Sequence, residues 1–310
     1  MGKKTLSIGG ATYDLFVGLP DNIAFALPAG AKIRVNQLVE SCGGGASNTS
    51  VGLSRLGCNA CFVGVLSSDQ WGEKLLKNLE QEGVDTSCVT VVEDEVSSFS
   101  IILSGDTGER VILYEPGTNK HLHDVTFDRH VLTTMDWVYL NHIQEDSCVI
   151  QDDIVDALST TNIGLTWNPG GCQIEQGLTT ANTKELLKHT DLILLNKEES
   201  LVFTSTSTLE DAIRKLHDAG VKNIAITDGA NGTVGSDGNT IYRCPAISDT
   251  RVVDTTGAGD AFGTGATWAL LQGMTLKIAL KAGSINAASV IGAIGSQTAL
   301  LTDTEMKHYV

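Results

Sequence analysis

Along this chain short apolar runs alternate with segments of helical period. The runs at 6–8, 61–65, 137–140, 164–167, 192–195 and 224–227 are each too short for a helix and read as buried strands. Between them, 47–56, 72–82, 150–158, 183–187 and 208–219 carry the amphipathic spacing of helices, and Gly57, Gly83 and Gly220 stand where three of these should stop. Strand-then-helix alternation predicts an α/β fold, a doubly wound, mostly parallel central sheet with helices on both faces.

Two stretches, 15–40 and 97–114, lack helical period. Segments 98–103 and 110–114 flank the turn Gly105-Asp106-Thr107-Gly108 and predict a β-hairpin. Such additions on an α/β body are placed to form a lid over a site. From Ala261 onward the chain is helix-rich, and Gly263, Gly265, Ala266, Ala287 and Ala288 allow close packing. No repeat, low-complexity tract or linker divides it. Residues 1–310 therefore read as one domain with lid segments 15–40 and 97–120 inserted, and 42% hydrophobic residues are enough for a large core.

Charge narrows the function. With 21 Lys+Arg against 37 Asp+Glu and no basic cluster, a nucleic-acid binder is disfavoured, as is attraction to an anionic membrane. A phosphate ligand would have to be met by backbone amides or a metal. Of seven cysteines only Cys58 and Cys61 form a Cys-x-x-Cys, with no second pair to complete a zinc site. Free thiols, no leader-like N-terminal pattern and no apolar stretch of membrane-spanning length lead us to expect a cytoplasmic protein.

Three features could carry chemistry. Asp254-Thr255-Thr256-Gly257-Ala258-Gly259-Asp260 is a small-residue turn opening a helix, where unpaired N–H groups meet an anion and an Asp can take a proton from a hydroxyl. Its glycine spacing also admits a dinucleotide reading, weakened by the absence of a strong preceding strand and of an acidic residue about 20 positions on. Cys42-Gly43-Gly44-Gly45-Ala46-Ser47-Asn48 opens an earlier helix and offers donors and acceptors suited to a polyol. Asp14, just past the first strand, falls where a parallel sheet places its ligand crevice.

The two glycine segments, with Leu56-Gly57 after the first, resemble the two signatures of the ribokinase-like (PfkB) carbohydrate kinases. Asn196-Lys197-Glu198-Glu199 is similar to that family's Asn-x-x-Glu motif, Thr227-Asp228-Gly229-Ala230-Asn231-Gly232 to its nucleotide loop, and Asn286-Ala287-Ala288 to its late adenine-side helix. The resemblance implies a ribokinase-like fold with a small β-sheet lid and transfer of the ATP γ-phosphate to a sugar hydroxymethyl group. Asp260 would be the general base, and Gly257, Ala258 and Gly259 the anion hole. Asp14, Gly44, Gly45 and Asn48 would hold the acceptor, and Asn196, Thr227, Gly229, Gly232 and Asn286 the nucleotide. Glu199 would organise hydrated Mg²⁺, and Asp254 and Thr256 leave a K⁺ site open. A homodimer through the lid is also implied.

The segment 141–144 has no carboxylate in register with the family's mid-chain acidic contact, and no Arg precedes Asn48 to clamp a phosphate, although Lys32, Arg34 and Arg110 could do so from the lid. An unphosphorylated sugar is therefore the first expectation, a nucleoside the second and a sugar phosphate the third. A dinucleotide-dependent oxidoreductase and a noncatalytic sugar sensor are the rivals from other classes.

Overall fold

The computed structural model describes residues 2–20, 27–105, 110–123, 130–142, 149–248 and 250–310. A large sheet contains β1 (Lys4–Ile8), β4 (Asn59–Ser67), β5 (Val89–Val92), β8 (Trp137–Leu140), β9 (Gly164–Trp167), β10 (Leu192–Asn196) and β11 (Asn223–Thr227), all parallel, with β12 (Thr233–Ser236) and β13 (Ile241–Cys244) added antiparallel at one edge. A smaller sheet contains β2 (Thr12–Gly18), β3 (Gln37–Gly43), β6 (Phe99–Ser104) and β7 (Arg110–Glu115). The doubly wound body and separate small sheet agree with the expected fold.

The central strands are continuous apolar runs because both of their faces are covered. On one face lie helices α1 (Gly45–Arg55), α9 (Ala258–Leu271), α10 (Leu276–Val290) and α11 (Asp303–Tyr309), where Leu53, Phe262, Trp268, Leu280 and Met306 pack on Tyr139 and Leu194. The other face carries α4 (Val149–Thr160), α6 (Ala181–Lys188), α7 (Lys197–Thr204) and α8 (Leu209–Asp218), whose Ile154, Leu186, Phe203 and Leu216 meet Leu6, Val138 and Leu140. Helix α2 (Gln70–Gln81) buries Leu75 and Leu79 with Phe62 and Leu66, and α3 (His130–Thr133) and α5 (Cys172–Gln176) are short. The predicted stops hold, since Gly57, Gly83 and Gly220 have φ of 83°, 72° and 107°, where other residues are strained.

Several details differ from the sequence pattern. Strands β5, β12 and β13 and helices α7 and α11 were not marked by it. The edge strand β13 is half-exposed and carries no apolar run, and α7 opens on the polar stretch Lys197-Glu198-Glu199. Cys58 and Cys61 are both buried where β4 begins, and among the described residues no cluster of His, Cys, Asp and Glu could hold a metal ion.

The small sheet is mixed. Strands β2–β3 and β6–β7 are antiparallel pairs, joined by a parallel β2–β6 pairing that sets Asp14 between Ser41 and Ser100. It begins at Thr12, three residues before the expected start, so Asp14 is a strand residue rather than a loop residue. Residues 106–108 of the expected hairpin turn lie outside the described residues.

From β1 the chain winds through β4 and β5 to one side, then returns to β8 and proceeds through β9, β10 and β11 on the other. The β1/β8 boundary is thus the topological switch point, where a crevice opens beyond the strand C-termini. No helix among the described residues is long and apolar enough to cross a membrane.

Candidate active site

A cavity of about 250 Å³ lies over that switch point. Its floor includes Gly10 after β1, His142 after β8, and the starts of α1 and α9; its roof is the small sheet, through Asp14, Ser100, Ile102, Ile112 and Tyr114. Two separated glycine segments and Asp14 therefore converge, as the sequence pattern suggested, on one space.

At the start of α1, Gly44 is the N-cap residue with φ 91°. A Cβ there would fall 2.6 Å from Ala11 Cα and 2.7 Å from Gly10 O, and one on Gly43 would fall 2.2 Å from Asp14 Oδ2. These glycines let β2 lie against the helix start. The Ala46 and Ser47 N–H groups donate to Gly10 O at 3.1 and 3.3 Å, so they are not open to a ligand. Asn48 is 4% exposed. Its Nδ2 donates to Asp260 Oδ2 at 2.8 Å, while its Oδ1 accepts from Ser296 Oγ at 2.8 Å and Gln297 Nε2 at 3.1 Å. The Oδ1 and one Nδ2 hydrogen are thus tied to protein, so Asn48 fixes the carboxylate of Asp260 while it also lines the cavity.

Asp260 stands in the first turn of α9, behind the N-cap residue Gly257 at φ 76°. Enclosure by protein pushes its carboxyl up to about 6, against a lowering pull from the Asn48 hydrogen bond. Asp14, 6% exposed, is raised to about 7, chiefly by burial; Ser100 opposes the shift and the charge of Asp254 adds to it. Gly259, in contrast to Gly44, has open space where a Cβ would stand. Asp254 Oδ1 accepts from Thr256 N at 3.0 Å and Thr256 Oγ1 at 2.8 Å, and Oδ2 accepts from Gly295 N at 3.2 Å. Arg110, on the first residue of β7, donates through Nη1 to Asp254 Oδ1 and to Thr256 Oγ1, each at 3.0 Å.

Asn196 and Thr227 end the adjacent strands β10 and β11 in direct register. The loop beyond Thr227 turns on Gly229 (φ 51°) and Gly232 (φ 89°) and is closed by Asp228 N donating to Gly232 O at 2.8 Å. Asn196 and Glu199 form a capping box at the start of α7, with Asn196 N donating to Glu199 Oε2 and Glu199 N to Asn196 Oδ1, both at 2.8 Å. Burial raises the Glu199 carboxyl. Asn286 departs from expectation. It is fully buried, donates to Ala261 O at 2.8 Å and accepts from Leu301 N at 3.1 Å, so its amide braces α10 against α9 rather than facing a nucleotide.

Sequence reasoning did not single out Ser100, Ser296 or Gln297 for this site. Ser100 is an ordinary polar position of a strand, and the other two follow α10 in an irregular segment with no periodic signal.

A carboxylate held at a helix N-terminus beside a ligand-sized cavity is an arrangement that phosphoryl transfer to an alcohol can use. The model of the pfkB family carbohydrate kinases matches residues 3–303, and the chain belongs to that family. An uncharacterized sugar kinase of Archaeoglobus fulgidus is 30% identical over 254 residues, covering 81% of this chain and 98% of the relative. A ribokinase of Haemophilus influenzae is 25% identical over 324 residues, 99% of each. The structure of Arabidopsis thaliana ribokinase complexed with ribose and ATP superposes with a TM-score of 0.84 at 23% identity, over 100% of this chain and 99% of that one, and so shares the fold. The chain is a sugar kinase of the ribokinase family. The dinucleotide reading falls, since the strand nearest before α9, β13, ends at Cys244.

Proposed function

We propose that the protein transfers the γ-phosphate of ATP to a hydroxymethyl group of a small, unphosphorylated sugar, with Asp260 as general base. The observation that carries this reading is the placement of Asp260. Its carboxyl is tuned to about 6, steadied by Asn48, and faces the same cavity as Asp14. Asp260 takes the hydroxyl proton as the acceptor oxygen attacks the γ-phosphorus and ADP departs. Amides of Gly257 and Gly259 face the charge on the transferred phosphoryl, joined by that of Ala258 once it leaves Thr255 O, to which it donates at 3.3 Å. Asp14, Gly44, Gly45 and the second Nδ2 hydrogen of Asn48 contact the acceptor, and Asn196, Thr227, Gly229 and Gly232 the nucleotide.

Carboxylates line the cavity and, among its described lining residues, no Lys or Arg does, which favours a neutral acceptor over a sugar phosphate. The apolar roof of Ile102, Ile112 and Tyr114 keeps a nucleoside as the second reading, because a flat base would cover it. Glu199 fits hydrated Mg²⁺, which needs few protein ligands, and the metal would neutralise charge on the nucleotide phosphates. Segments 15–40 and 97–120 act as the lid of a single domain spanning 1–310. Exposed Leu38, Val111 and Leu113 on that sheet support a homodimer through it. The ATP requirement supports a cytoplasmic location.

The test is ADP release across a panel of sugars, sugar phosphates and nucleosides, repeated with Asp260→Asn. That variant should lose about 10²–10⁴-fold in kcat while binding both ligands. Retention of more than about a tenth of wild-type kcat would refute the general-base assignment.

A further inference from the structure

The turn that the family resemblance offers to a monovalent cation already holds a cation of the protein's own. Asp254 has a side chain only 9% exposed, and a carboxylate that deep needs a partner. Its Oδ2 has the Gly295 N–H, and its Oδ1 lies 3.0 Å from the Arg110 guanidinium, which stands equally close to Thr256 Oγ1. An ion seeking the same two oxygens would meet that charge at contact distance and be repelled. With Arg110 in place, the donor set therefore does not fit K⁺.

Arg110 belongs to β7, in the small sheet, whereas Asp254 and Thr256 belong to the turn that runs directly into Gly257-Ala258-Gly259. We infer that Arg110 supplies from the lid the positive charge this turn requires, so the chain needs no monovalent cation there. The small sheet, seated over the cavity, brings the charge to the turn. Arg110 is thus a positioning residue. It steadies the segment proposed to face the phosphoryl group, and it ties that segment to the small sheet.

The kinetic side of this inference rests on the phosphoryl-transfer reading; the thermal side does not. The wild type, Arg110→Ala and Arg110→Lys are compared in potassium, sodium and tetramethylammonium chlorides at equal ionic strength. Wild-type Tm and kcat should be the same in all three salts to within about twofold in rate. Arg110→Ala should lose about tenfold or more in kcat with acceptor KM nearly unchanged, and potassium should restore part of the rate and raise Tm. Arg110→Lys, keeping the charge but not the guanidinium's shape, should fall between wild type and Arg110→Ala and gain less from potassium than Arg110→Ala does. A potassium-specific rise in wild-type rate or Tm would overturn the inference, as would an Arg110→Ala enzyme that runs at wild-type rate in tetramethylammonium. If no acceptor is turned over, the kinase reading fails, and the Tm comparison still decides whether Arg110 holds the cation site.

Discussion

Two glycine-rich turns open two helices of this protein, and in sequence they look alike; their N-cap glycines, Gly44 and Gly257, both press on protein, a Cβ on Gly257 falling 2.3 Å from Ser296 Cβ, but Gly259 does different work. At Gly44 the backbone lies against Ala11 and Gly10, and the next N–H groups donate to Gly10 O. The glycine is there so that protein can touch protein, and what the helix presents is the side chain of Asn48. At Gly259 nothing stands within 4 Å of a would-be Cβ. There the missing side chain leaves room for something that is not protein, beside a carboxylate. Both turns meet at the 2.8 Å hydrogen bond from Asn48 to Asp260, so the packing turn acts through the open one.

Substitutions ranked by their effect on stability can break this contrast. Gly44→Ala combines a left-handed φ with an atom placed 2.6 Å from Ala11 Cα, and should cost about 3 kcal/mol or more in urea unfolding. A mild loss would show that the first turn has slack. Asp14→Asn should act in the opposite direction. Burial raises the Asp14 carboxyl from 3.8 to about 7, so the folded chain binds its proton more tightly than the unfolded chain does. That penalty is absent below about pH 4, grows as pH rises, and is complete above about pH 7. Asp14→Asn should therefore flatten the fall in stability across this window and stabilise the protein at pH 8 by about 2–3 kcal/mol, while weakening acceptor binding. An unchanged pH–stability curve would refute the burial argument.

Asn48→Ala leaves buried Ser296 and Gln297 groups without their acceptor and should cost about 1–3 kcal/mol. It also removes the hydrogen bond that lowers the Asp260 carboxyl, so the acid limb of kcat/KM should move upward from about pH 6. An acid limb that stays in place would separate the two turns. Gly259→Ala should be the gentlest on the fold, neutral or stabilising by about 0.5–1 kcal/mol in a helical turn with open space. Its kcat/KM for ATP should nonetheless fall. A destabilised but fully active variant would reverse the assignments of the two glycines.

The elements legible in the sequence were those whose pattern was dictated by burial on both sides. The run at 192–195 became β10, and Thr208, expected at the start of a helix, caps α8 through the Asp211 N–H. The parallel β2–β6 pairing was not legible, because nothing local in 12–18 or 99–104 says which distant segment each will meet. At the site, residue types at Asp14, Asn48 and Asp260 were readable while their partners were not. Asn48 suggested a ligand contact because its amide can donate and accept; that its Oδ1 and one Nδ2 hydrogen go to protein depends on Ser296, Gln297 and Asp260, which only the folded chain brings near. Asn286 misled for the same reason, since an amide inside a helix gives no sign of whether it faces out or in.

The Asn48–Asp260 hydrogen bond joins residues 212 positions apart, and Asn48 is itself held by Ser296 and Gln297, near the chain's end. During synthesis the N-terminal strands and helices emerge first and can pack as they appear. The phosphate-facing turn follows much later, and the clasp on Asn48 later still. In the proposed mechanism the aim of the base is therefore settled by contacts between segments far apart in the chain, and is among the last features that folding can complete.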